Sequence, residues 1–178
     1  MIMADVWMWF LLILGIMLVF VSHWMATEAL FAPFVARARA QYHRPIRLTF
    51  IGLGLFAPAV IIAVVLLNRN NPAVKLFGAI LLAMPILVGL AGSAGLSQKV
   101  GLGLPSPHDT LQPWRRVLRG GIVLVLTFLL PVFGWFVVLP WTVITGFAAA
   151  ILSLRRAPAA DPGHASAPPA TLVNEMAR

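Results

Sequence analysis

The chain has 178 residues, of which 61% are hydrophobic and 10% charged, and its formal net charge is +8. Soluble domains carry about 25% charged residues, which sets aside a water-soluble fold. No stretch is long enough for the polar domain that a nucleic-acid face needs, and the lack of cysteine removes disulfides, thiolate catalysis, thiolate-bound zinc and iron–sulfur clusters.

The opening residues MIMADVW hold Asp5 and no base, the reverse of a signal-peptide n-region, and no small-residue cleavage site follows. A retained first span is expected over 6–25, with Trp7 and Trp9 at one interface and Trp24 at the other. His23 and Glu28 fall at its inner edge and are expected to be solvated among headgroups. Residues 27–47 form the first large loop. Leu30, Phe31, Phe34 and Val35 are followed there by Arg37, Arg39, Arg44 and Arg47, a pattern that suits a short amphipathic helix lying against anionic lipid.

The second span is expected over 48–67 with Pro58 near its centre, and the third over 76–96 with Pro85. A compact turn with Arg69 and Lys75 joins them. Gly89 with Ser93, and Ala91 with Gly95, form small-xxx-small pairs, with Gly92 between them, and such pairs let helix backbones approach closely. A glycine-rich third span is therefore expected to pack against another helix, its own or a partner's. Residues 97–119 form the second large loop, irregular at Pro105, Pro107 and Pro113. Gly101 and Gly103 do not continue into a dinucleotide fingerprint, and the neighbours His108 and Asp109 are poorly placed for acid–base work. Trp114, Arg115, Arg116 and Arg119 read as an interface anchor.

Gly120 to Leu154 contains 35 residues without a charge, and a single helix of that length would be about 50 Å long against a hydrocarbon core of about 30 Å. Pro131 and Gly134 mark a break, giving a helical hairpin with arms over 117–132 and 136–154 and Trp135 at the far interface. Gly134 and Gly146 are further packing positions. The first arm has about 15 apolar residues, fewer than the roughly 17 a span needs, so it is either fully spanning or re-entrant. After Arg156 the Ala/Pro-rich stretch 157–178 has no apolar period and is expected to be a disordered tail.

The expectation is thus an all-α integral membrane protein: one transmembrane domain over 1–156 with three helices plus a C-terminal hairpin, five segments in all. The alternative is four spans with an over-long, bent last helix and an external tail. Positive charge concentrates in 27–47, 97–119 and 155–156, which places those loops and the tail in the cytoplasm and the N-terminus outside. The compactness and the lack of a transit segment favour a bacterial inner membrane.

The run Pro131-Val132-Phe133-Gly134-Trp135, continuing through Pro140 and Gly146 to Leu154, resembles the closing segment of small uncharacterised bacterial multi-span proteins. The resemblance implies a membrane-helical hairpin and, since that group has no assigned activity, nothing about mechanism.

Five carboxylates and four histidines are scattered, without paired acids or metal-ligand spacing in any span, so no catalytic, cofactor or metal site is expected. Two classes remain. An accessory or scaffold protein would pack with itself or a larger membrane complex and hold anionic lipid headgroups through its basic loops. A small transporter, channel or lipid-handling protein would use the proline-broken helices at Pro58, Pro85 and Pro131.

Overall fold

A computed structural model describes residues 3–104, 114–130 and 132–155. Of these residues, 92% are helical and none lies in a strand. Five α-helices run in order: α1 (Met3–Gln41), α2 (Pro45–Leu67), α3 (Pro72–Leu102), α4 (Trp114–Phe128) and α5 (Leu139–Arg155), the last preceded by a π-helical turn over Gly134–Val138. The His108–Asp109 pair, Pro131 and the 157–178 tail lie outside the described residues.

The helix ends follow local chemistry. The α2 helix opens with Pro45 and α3 with Pro72 at the first helical position, where a missing N–H costs nothing. Asn71 caps α3 by accepting a 2.9 Å hydrogen bond from the Ala73 backbone N–H. The 39-residue α1 would be about 58 Å long if straight, but it breaks at Phe31, whose φ of −135° and ψ of 44° are not helical. Pro33 cannot donate to the carbonyl of Ala29 and its ring crowds that carbonyl, so the break falls just ahead of it. The region 27–47, expected as a loop carrying a short amphipathic helix, is therefore mostly the second limb of a kinked helix continuous with the first span.

The third helix also outruns its expected end and takes in the first residues of the second loop. Every residue from Gly92 to Gln98 is buried, which means that this part of α3 is enclosed on all sides. The helix touches α1, α2, α4 and α5 and is the axis of the bundle. On α4 the buried residues are Val117, Gly120, Gly121, Leu124, Val125 and Phe128, a single apolar stripe at helical spacing.

Among the described residues, four helices are long and apolar enough to cross a membrane: Asp5–Gln41, Pro45–Leu67, Pro72–Leu102 and Gly134–Arg155. The fifth expected segment, 117–132, is not among them. Its α4 has 15 residues, a rise of about 22 Å. Nor do α4 and α5 form a tight pair, because each packs mainly on α3. The bend between them instead ends in the π-helical turn. There the Leu139 N–H donates to the carbonyl of Gly134, five residues back. Pro140 follows at once, and its ring would crowd the carbonyl four residues back in a regular helix. The wider turn makes room for it.

Backbone contact replaces side-chain packing where α3 meets its neighbours. A Cβ on Gly92 would lie 2.0 Å from the carbonyl oxygen of Gly146, and one on Gly120 would lie 1.8 Å from that of Ser97. Only glycine allows such approaches.

Candidate functional site

Glycine and serine first bring polar groups together along α3. Trp24 is fully buried, and its Nε1 donates to Ser93 Oγ at 2.8 Å. Ser97 Oγ donates to the carbonyl of Val117 at 2.8 Å. Gln98 Nε2 donates to Glu28 Oε1 at 3.0 Å. Lys99 Nζ reaches the carbonyl of Tyr42, and Trp141 Nε1 donates to Thr49 Oγ1 at 2.9 Å. These bonds tie α1 to α3, α3 to α4 and α2 to α5. Glu28 is only 7% exposed, so the expectation of a solvated headgroup-level carboxylate is replaced by a buried acid that feels the charge of Arg39.

Tyr42, the one tyrosine of the chain, is also enclosed. Burial pushes its phenol well above the ordinary tyrosine range, with the adjacent Thr145 hydroxyl pulling weakly the other way. That hydroxyl donates to the carbonyl of Trp141, and the Tyr42 hydroxyl closes no hydrogen bond of good geometry. Because the folded phenol is raised, its stabilising term is complete below pH of about 10, where free tyrosine titrates, and fades as pH rises beyond that. A spectrophotometric titration should therefore show no phenolate at pH of about 10.5 until the protein is unfolded. A normal titration of the folded protein would contradict the burial.

The residues expected at lipid interfaces divide into four groups. Arg44 and Arg47, both exposed, lie at the α1–α2 turn and in the first turn of α2. Arg37 and Arg39 are half-buried on the second limb of α1. Trp114 and Arg115 are exposed at the start of α4, with the guanidinium 5.5 Å from the indole centroid, a cation–π contact. Arg116 and Arg119 follow, half-buried, where Gly101 meets the Arg116 backbone. Trp135 is exposed on the π-helical turn. These basic groups surround the C-terminal third of α3, because α1 crosses that helix at Gly95, against Ala38 and Arg39. Arg69 and Lys75 lie at the other end of α2, which has 23 residues, a rise of about 34 Å.

The expected packing residues all meet neighbouring backbone or side chains. Gly89 faces Val143, Gly92 faces Gly146, Ser93 holds Trp24, Gly95 faces α1, and Gly134 sits against the carbonyls of Thr127 and Phe128. They are consumed inside the chain, so the glycine face of α3 is not a surface for a partner.

Two hollows border the C-terminal turn of α5. One, of about 320 Å³, is lined by Gln41, His43, Arg44, Arg47, Leu48, Ile51, Leu152 and Arg155. The other is an apolar cleft of about 590 Å³ at the kink of α1, bounded by Leu30, Phe31, Phe34, Val88 and Ala150, with His23 and Arg37 on its wall. Arg37 Nε is buried there without a hydrogen-bond partner.

Sequence reasoning missed Gln41, Gln98 and the use of Arg155 in a pocket. A lone glutamine at the end of an apolar helix carries no period or motif, and only the crossing of α1 over α3 reveals its neighbours. Among the described residues no three potential metal ligands cluster. No protein family, curated protein or solved structure matches the chain.

Proposed function

We propose that this is an integral membrane protein of the accessory or scaffold kind. It holds anionic lipid headgroups at its basic end and associates with a second copy or a larger membrane complex through the first limb of α1. The observation that carries this reading is the gathering of Arg37, Arg39, Arg44, Arg47, Lys99, Arg115, Arg116, Arg119 and Arg155 around one end of the bundle. Only two of the described residues are acids, Asp5 and Glu28. Each such cation near an anionic surface contributes about 1 kcal/mol to lipid attraction.

Orientation follows from the same charges. The basic end faces the cytoplasm of a bacterial inner membrane, and the N-terminus and the α2–α3 turn face outward. Arg155 shares a hollow with Arg44 and Arg47, which supports a chain that returns to the side of the α1–α2 turn. With its rise of about 22 Å, α4 is then a re-entrant arm, and Gly134–Arg155 brings the chain back.

Association is assigned to α1 because the small residues of α3 are already used. From Val6 to Leu14 every side chain is exposed, including Trp7, Trp9 and Phe10. In a chain without cysteine, Met8→Cys and Leu11→Cys should cross-link to a copy or a partner in native membranes. The neutral replacement of Arg37, Arg39 and Arg44 by glutamine should lower the anionic lipid that co-purifies. Full retention of lipid by that variant would reduce these arginines to topology signals.

The apolar cleft at the α1 kink favours one second reading, a lipid-handling protein that seats an acyl chain beside Arg37. Lipid exchange between vesicles catalysed by the purified protein would support that reading over the accessory one.

A further inference from the structure

We propose that the hollow between the α1–α2 turn and the end of α5 is a discrete site for one phosphate-bearing lipid headgroup. This rests on the reading that the basic end binds anionic lipid, and it names where and how one molecule is held.

Three arginines line this hollow from separate elements: Arg44 from the turn, Arg47 from the first turn of α2, and Arg155 from the last residue of α5. No carboxylate lines it. Like charges brought together in this way repel unless an anion sits among them, and the planar fork of arginine matches phosphate oxygens two at a time.

The α2 helix adds backbone donors. Its N-cap, Arg44, makes no side-chain cap, and Pro45 has no N–H, so the N–H groups of Ile46 and Arg47 have no intrahelical acceptor. The positive end of the helix dipole therefore opens on the same hollow. Gln41 supplies an independent sign: it lines the hollow, and its Nε2 is buried without a partner. A buried amide left open in this way calls for an acceptor.

Size and wall identify the source of the phosphate. The hollow is about 320 Å³, at the lower end of the roughly 300–1,000 Å³ of small-molecule sites and far larger than a free inorganic ion. One wall is Leu48, Ile51 and Leu152. An apolar wall beside a cationic mouth suits the glycerol and first methylenes behind a headgroup and has no use for inorganic phosphate.

The test uses the full chain purified in mild detergent, with native mass spectrometry of added phosphatidylglycerol, phosphatidylcholine or inorganic phosphate. The wild type should retain one phosphatidylglycerol in preference to phosphatidylcholine, and excess inorganic phosphate should not displace it. The triple variant Arg44→Gln, Arg47→Gln, Arg155→Gln should bind it at least about tenfold more weakly, since charge-assisted bonds to phosphate are the strong ones. The variant Arg69→Gln, Lys75→Gln, which removes two positive charges at the other end against three here, should be unchanged. All five positions are exposed, and thermal melts followed by circular dichroism should confirm that both variants fold.

Equal weakening in both variants would overturn the pocket while leaving diffuse lipid attraction at the basic end intact. An absence of anionic preference in the wild type would overturn the pocket and the broader reading together. Displacement by inorganic phosphate would overturn the lipid as the source of the anion.

Discussion

Replacing Gly92 by alanine should destabilise the bundle by about 3 kcal/mol, the upper part of the range for overpacked interiors, and the same change at Gly54 should stabilise it slightly. The two substitutions are chemically identical and both lie inside helices, so their difference isolates packing. At Gly92 the new methyl group would lie 2.0 Å from the carbonyl oxygen of Gly146 and 3.0 Å from the Cβ of Ala150. The obstacle is backbone, so no side chain can rotate away, and α3 and α5 have to separate along their contact. Nothing lies within 4 Å of a Cβ at Gly54. There alanine only gains helix propensity, about 0.5–1 kcal/mol over glycine. Equilibrium denaturation in mixed micelles, followed by far-ultraviolet circular dichroism, measures both. Equal effects at the two sites would mean that α3 and α5 are not in backbone contact.

The second large effect belongs to Trp24. Its ring is fully buried between Phe20, Phe128 and Gly121, with ring centroids 6.0 Å from Phe20 and 6.3 Å from Phe128. Trp24→Ala removes that volume where α1, α3 and α4 meet and should cost about 3–5 kcal/mol. Ser93→Ala removes the acceptor of the indole N–H together with the hydroxyl's own 2.7 Å bond to the Leu90 carbonyl and should cost about 1–3 kcal/mol, mainly the penalty for a buried donor left unpaired. Trp24→Phe combined with Ser93→Ala should fall short of additivity by about 1 kcal/mol, because the indole–hydroxyl bond is lost in either single change. Strict additivity would mean that the 2.8 Å contact contributes no stability.

These two sites show what the sequence discloses and what it hides. The apolar lengths, the proline positions and the small-xxx-small pairs around Gly89 to Gly95 point to a helical bundle and to close backbone approach. They do not say against what. Gly92 meets Gly146 across 54 positions of chain, and nothing local in either segment encodes that partner. The charge pattern marks the basic segments as belonging to one end, and the crossing of α1 over α3 at Gly95 gathers them there.

Local chemistry misled at two points. Arginine and proline between 27 and 47 read as a loop with its own short amphipathic helix, yet Pro33 only kinks α1 and the helix is continuous with the first span, because a proline just after a break needs no backbone donor. Ser97 and Gln98 read as the start of a loop, yet each finds a buried partner, Val117 and Glu28, and the helix continues. Pro131 and Gly134 mark the place where α4 gives way to the next helix, but the two arms do not pair as a hairpin. Glycine at 120 and 121 gives α4 a face for α3, not for α5.

The central claim is a bundle that crosses the bilayer with its basic end and the end of α5 on the cytoplasmic side. Asn70→Cys, Ala40→Cys and Leu154→Cys, made singly in this cysteine-free chain, test it at three exposed positions with a membrane-impermeant maleimide on intact spheroplasts. Asn70→Cys should react at once, and Ala40→Cys and Leu154→Cys only after the membrane is opened. Labelling of Leu154→Cys from outside, with Ala40→Cys still protected, would contradict the return of the chain to the basic side and with it the shared arginine pocket.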